Sequence, residues 1–113
     1  MKRGDIYIAN INPRSGSEQT GIRPVIIISH DGFNTTTNWN SIIIVPISTS
    51  EKQAKRTPTT VFLSKESSGL DKDSNVLCHQ ITTLDKSKLH KKIGTLSSIQ
   101  IEQAIQYALA IFK

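Results

Sequence analysis

One cysteine, one tryptophan, and no apolar run longer than a few residues: this 113-residue chain is short of several things at once, and each shortage excludes something. A lone thiol, Cys78, leaves no intrachain disulfide and fits a reducing cytoplasm. No stretch approaches the ~20 apolar residues of a membrane span. The opening Met1-Lys2-Arg3-Gly4-Asp5 leads into a short apolar run broken by Asn10 and Asn12, which is no secretory signal. A cytoplasmic protein without membrane contact is expected. His30, His79, His90 and Cys78 show no Cys-x-x-Cys or His-x-x-x-His spacing, so neither a metal site nor another cofactor is anticipated. Neither Gly16 nor Gly21 leads into the Gly-Lys-Ser/Thr ending of a phosphate-binding loop. Acidic residues are also few: 9 against 14 Lys and Arg, for a net charge of +5. That balance favours a polyanion or an acidic protein segment as partner.

What is present reads as a single domain over residues 1–113, long enough to form a core. Ser17 to Ser29 passes from a polar, Gly-punctuated loop through Arg23-Pro24 into the β-branched run Val25 to Ile28, a loop feeding a buried strand. Pro24 holds the residue before it in an extended conformation, which places Arg23 at the very start of that strand. Asp5 to Ile11 is a first strand. His30 to Asn40 is a loop with room for one helical turn, and Ser41 to Pro46 is a third strand stopped by its proline. Thr59 to Leu63 is a short fourth strand, Ser64 to Asp73 a loop, Ser74 to Thr83 a fifth strand, and Ile93 to Leu96 a last short one. Ser97 with Gln100 makes a capping-box pattern. Behind it Ile101, Ala104, Ile105, Ala108, Leu109 and Phe112 recur at helical spacing, as a helix that closes the barrel or lies in a subunit interface. The fold expected is mainly β: a small antiparallel barrel with a C-terminal helix.

The residues with chemical capacity form a polar set without metal ligands: Glu18, Arg23, Ser48, Thr49, His79 and Gln80. Cleaving an RNA ester without a metal needs a base for the 2′-hydroxyl, positive charge or donors for the phosphorane, and an acid for the leaving oxygen. This set contains all three types, although nothing local in the sequence brings them together. Arg23 is always charged and offers a planar donor fork that matches a phosphate; read by itself it is equally a strand-end cation that aids solubility. Lys52, Lys55 and Arg56 form a basic loop, either solvated or in contact with nucleic acid. Trp39 either stacks on a base or anchors its loop. Mid-strand, Cys78 reads as a small buried thiol and not as a nucleophile. His79 and Gln80, adjacent in a strand, would face opposite ways.

Six blocks in register resemble one family. Arg3-Gly-Asp-Ile-Tyr7, Gly16-Ser-Glu-Gln19, Gly21-Ile-Arg-Pro-Val25, Val45-Pro-Ile47 with Ser48 and Thr49, Leu70-Asp-Lys-Asp-Ser74, and Gln80 followed by Leu84-Asp85 look like the MazF/PemK-like toxins over nearly the whole chain. The resemblance implies a homodimeric, SH3-like barrel endoribonuclease of a toxin-antitoxin system. It would cut single-stranded RNA, usually mRNA, at short sequences without metal, leaving a 2′,3′-cyclic phosphate and a 5′-hydroxyl. Its implied partner is a cognate antitoxin whose acidic, apolar tail occupies the RNA site. Carried over residue by residue, the catalytic Arg is Arg23, its hydroxyl partner is Ser48 or Thr49, and Glu18 is the acidic residue of the loop. Gln19, Thr49, Lys52, Lys55, Arg56 and Gln80 are the implied or candidate RNA contacts. Two departures stand out: His79 where relatives often have an acid, and Thr82 where they often have Arg. The first leaves the general base open between His79 and Glu18, and the second leaves cut-site specificity open. The alternative of a different class is a non-enzymatic, gyrase-binding toxin of the CcdB type. Such proteins carry their contacts at a C-terminal Trp-Gly-Ile, whereas this chain ends Ala110-Ile-Phe-Lys113.

Overall fold

The computed structural model describes residues 1–11, 21–48 and 60–112. Among these residues the strands are β1 (Asp5–Ile11), β2 (Gly21–Ile27), β3 (Ser41–Ser48), β4 (Thr60–Leu63), β5 (Ser74–Leu77), β6 (Thr82–Asp85) and β7 (Leu89–Thr95). The helices are α1 (Asp31–Asn34), α2 (Lys65–Ser68) and α3 (Ser98–Leu109), and 3-10 turns cover Cys78–Gln80, Lys86–Lys88 and Ala110–Phe112. All pairings are antiparallel, in the order β4-β5-β3-β2-β1-β7, with β6 also pairing β3. The result is the expected barrel-like sheet with a C-terminal helix. No pairing among the described residues joins β4 to β7, so the barrel is open along that seam.

The apolar runs in β1, β2 and β3 are continuous because both faces of these strands are covered, not one. Alternate residues enter two clusters. Ile6, Ile26, Val45 and Ile47 pack with Val61, Val76, Cys78, Leu96 and the helix residues Ala104 and Ala108. Their neighbours Ala9, Ile11, Val25, Ile27, Ile42 and Ile44 pack with Leu84 on the other face. Each large side chain so buried stabilises the fold by roughly 1.5–3 kcal/mol.

Helix α3 begins as its sequence dictates: Gln100 N–H donates to the Ser97 hydroxyl, and Ser97 N–H donates to Gln100 Oε1 at 3.0 Å. Small residues, Ala104 and Ala108, form its buried stripe, with Ile101 and Tyr107 packed beside them. Leu109 and Phe112, placed by periodicity on the same stripe, are exposed. The register at the opposite end of the chain is held by Asp5, which is buried; it accepts from Lys2 N–H and the Thr95 hydroxyl and lies 3.4 Å from Lys92 Nζ.

Three expectations need correction. Pro46 does not stop its strand: β3 runs on to Ser48, with Pro46 opposite Val25. The fifth strand does not run from Ser74 to Thr83. It ends at Leu77, turns through Cys78–Gln80, and resumes as β6, because β5 pairs with the end of β3 and β6 with its beginning. The turn spans the intervening β3 positions, where Pro46 has no N–H to give to a ladder. Cys78 is therefore not mid-strand, and His79 and Gln80 are not held on opposite faces by strand alternation. Finally, Arg23 is the third residue of β2, not its first.

Candidate active site

The geometry follows from strand register. In β2 and β3, Ile27 lies opposite Ile44, Ile26 opposite Val45, and Val25 opposite Pro46. The pairing of β2 with β3 ends at Val25 and Pro46; only its continuation in the same register by two residues would set Arg23 opposite Ser48. Both share the face of Val25, Ile27, Ile42 and Ile44, just past the end of that apolar cluster. On its other side Arg23 is opposite Ala9. Arg23 is exposed and Ser48 is buried at 2% exposure. Such a pair can hold a phosphate between a planar donor fork and a hydroxyl donor.

The 3-10 turn Cys78–Gln80 follows the end of β5 and runs past the β3 positions between Ile47 and Ile44, away from Ser48, which is paired with Asn75 near the start of β5. It carries His79, exposed, and Gln80, half-buried. Of the sequence-predicted site residues, Arg23 lies near the start of β2 and Ser48 at the end of β3, while His79 and Gln80 lie in the turn after β5. Glu18, Gln19, Thr49, Lys52, Lys55 and Arg56 lie outside the described residues.

Cys78 points inward from this turn, fully buried in the core cluster, and burial pushes its thiol up to about 12. It takes no part in a nucleophilic step. Trp39 packs against Phe33, ring centroids 5.7 Å apart, in the loop around α1, which supports the loop-anchoring role. Among the described residues no group of three or more His, Cys, Asp or Glu is placed to hold a metal ion. A cleft of about 710 Å³ lies on the opposite face of β1 and β2, lined by Ile8, Pro24, Leu70, Lys72, Lys91 and neighbours. Among the described residues, none of the candidate catalytic residues borders it, and no sequence signal pointed to it.

Residues 2–112 match the model of the family described as PemK-like, MazF-like toxin of type II toxin-antitoxin system. The chain belongs to that family. An endoribonuclease MazF of Staphylococcus saprophyticus is 42% identical over 103 residues, covering 91% of this chain and 83% of the relative. An endoribonuclease MazF of Staphylococcus epidermidis is 39% identical, covering 98% and 92%. Among solved structures, MazF from Deinococcus radiodurans superimposes with a TM-score of 0.80 at 21% identity, over 99% of this chain and 96% of that one. An endoribonuclease from a mycobacterial species in complex with its cognate antitoxin gives 0.79 at 20% identity, over 99% and 94%. These two structures establish the fold. The MazF-like family is one of toxins whose curated relatives are endoribonucleases, and nothing in these comparisons supports the gyrase-binding alternative. No helix among the described residues is long and apolar enough to cross a membrane.

Proposed function

We propose that this MazF-like chain is a toxin that cleaves single-stranded RNA, chiefly mRNA, at short sequences without a metal ion. The observation that carries the reading is the match of residues 2–112 to the MazF-like toxin family, whose curated relatives are endoribonucleases; Arg23 near the start of β2 and Ser48 at the end of β3 are the candidate pair. With a phosphodiester over that pair, the base takes the proton of the 2′-hydroxyl, the 2′ oxygen bonds to phosphorus, and the bond from phosphorus to the 5′ oxygen breaks. The departing oxygen collects a proton from the donors of the same site. The products are a 2′,3′-cyclic phosphate and a 5′-hydroxyl. Arg23 stabilises the charge that develops on the phosphorane, and the Ser48 hydroxyl, or Thr49 in its place, donates to a phosphate oxygen. His79, exposed in the turn after β5, serves as base; Glu18 is the competing assignment. Gln80, Gln19, Lys52, Lys55 and Arg56 bind the RNA around the cut.

The net charge of +5 also suits an acidic antitoxin tail, which would occupy the RNA site and silence the enzyme. The exposed Leu109, Ile111 and Phe112 at the chain's end suit a homodimer contact, and the composition suits the cytoplasm. A long unstructured RNA incubated with pure protein tests the proposal: wild type should release fragments with a common cut sequence, and Arg23→Ala should leave the RNA intact. Intact RNA with both proteins, or equal cutting by both, would refute it.

A further inference from the structure

A row of paired residues starts at Ser48. Ser48 is opposite Asn75 of β5, and Asn75 is opposite Phe62 of β4. Directly opposed residues of an antiparallel pair share a face, with Cβ atoms ~4.5–5.5 Å apart. Ser48, Asn75 and Phe62 therefore stand side by side across three strands, facing one way, and Arg23 lies on the continuation of the β2 register toward Ser48. Two of these residues are out of place by ordinary folding criteria.

Asn75 is 7% exposed, and its side-chain amide makes no hydrogen bond among the described residues. The other buried asparagine behaves differently. Asn34, 5% exposed, accepts from the Ser29 hydroxyl at 2.5 Å and donates to the Ser29 carbonyl at 2.8 Å. A buried amide without a partner is costly to folding, and such groups are rare unless something else meets them. Phe62 departs in the other direction: a large aromatic ring in mid-strand, 60% exposed, when its neighbours Val61 and Leu63 are buried.

We propose that Asn75 and Phe62 form a nucleobase subsite adjoining the scissile phosphate, with the Asn75 amide reading a base edge and the Phe62 ring stacking on that base. An amide offers a donor and an acceptor in one plane, the pattern by which asparagine pairs with a base edge. An exposed aromatic beside it provides the platform on which unpaired bases of single-stranded RNA are held. The row places reading and cutting on consecutive strands: Asn75 sits between the Ser48 hydroxyl and the Phe62 ring. It thus selects the nucleotide next to the bond held by Arg23 and Ser48. The subsite rests on the endoribonuclease reading and adds to it the residue that sets sequence preference.

The experiment is cut-site profiling on a random-sequence single-stranded RNA pool with wild type, Asn75→Leu, Asn75→Asp and Phe62→Ala, each checked for folding by circular dichroism. Asn75→Leu should still cut but lose its preference at one position beside the cleaved bond, with kcat/KM on the preferred sequence falling about 5- to 150-fold. Asn75→Asp, whose ionised carboxylate only accepts, should shift that position toward a base presenting an amino group. Phe62→Ala, at an exposed position that leaves the core untouched, should raise KM for all sequences. Profiles of both Asn75 variants identical to wild type would overturn the proposal while leaving the endoribonuclease reading in place. A wild-type protein that leaves the pool uncut would overturn that reading and this subsite with it.

Discussion

If Arg23 and Ser48 grip the same phosphate, removing both should cost little more than removing one. Arg23 is exposed and lies beyond the end of the apolar cluster, so Arg23→Ala takes nothing from the core. Ser48→Ala keeps the backbone ladder to Asn75 and changes only one hydroxyl. Losing one donor aimed at transition-state charge typically lowers the rate by about 10²- to 10³-fold, ~2.7–4 kcal/mol. Two independent losses would multiply to roughly 10⁴- to 10⁶-fold, whereas groups that act as a unit are strongly non-additive. The double variant should therefore fall close to the poorer single variant. The assay is single-turnover cleavage of one fluorescent RNA by the four proteins, with thermal melts to confirm that all are folded. Arg23→Lys belongs in the same series and should also be severely impaired, because an ammonium cannot reproduce the planar fork. Strict multiplication of the two effects would refute the shared-phosphate geometry, since residues out of reach of each other behave that way.

The remaining expectations concern the core, the turn and the base. A Cβ on Gly94 would come within 2.3 Å of the Ser68 carbonyl oxygen, a backbone atom, so Gly94→Ala should destabilise by about 1–3 kcal/mol and lower the melting temperature by roughly 5–20 °C; an unchanged melt would contradict that packing. Cys78, with its thiol pushed up to about 12 by burial, should resist iodoacetamide at pH 8 in the native protein and react promptly in denaturant. The same shift fixes a sign: the unfolded chain loses this proton near pH 9 and the native one does not, so stability should fall as pH rises from about 9 to about 12. Rapid native labelling would place Cys78 elsewhere. His79→Gln should reduce kcat/KM ~10²-fold; an unchanged rate would move the base to Glu18.

The sequence declared its elements better than their interruptions. β1 runs from Asp5 to Ile11 as its run of β-favouring residues indicated, and the Ser97–Gln100 capping box closes the first turn of α3 because both partners are local. Local patterns misled where a distant strand decided. Pro46 reads as a stop, yet β3 continues because β5 pairs with its last two residues. Ser74 to Thr83 reads as one strand, yet it serves two separate stretches of β3 and must turn between them. For the candidate site, Arg23, Ser48 and Gln80 were named through the family pattern and His79 as a departure from it. How these residues lie relative to one another depends on strand register, which sequence order does not display. Asn75 and Phe62 gave no signal at all: an asparagine and a phenylalanine in short strands look ordinary until the register shows one buried without a partner and the other exposed beside it.

The central claim, metal-independent RNA cleavage over the Arg23–Ser48 pair, is met most directly by mapping the ends of a long unstructured RNA cut in excess EDTA. The account predicts undiminished cutting by wild type at a recurring short sequence, with every upstream fragment ending in a 2′,3′-cyclic phosphate and every downstream fragment beginning with a 5′-hydroxyl. Loss of cutting in EDTA with recovery in magnesium, or fragments bearing 5′-phosphates, would contradict it.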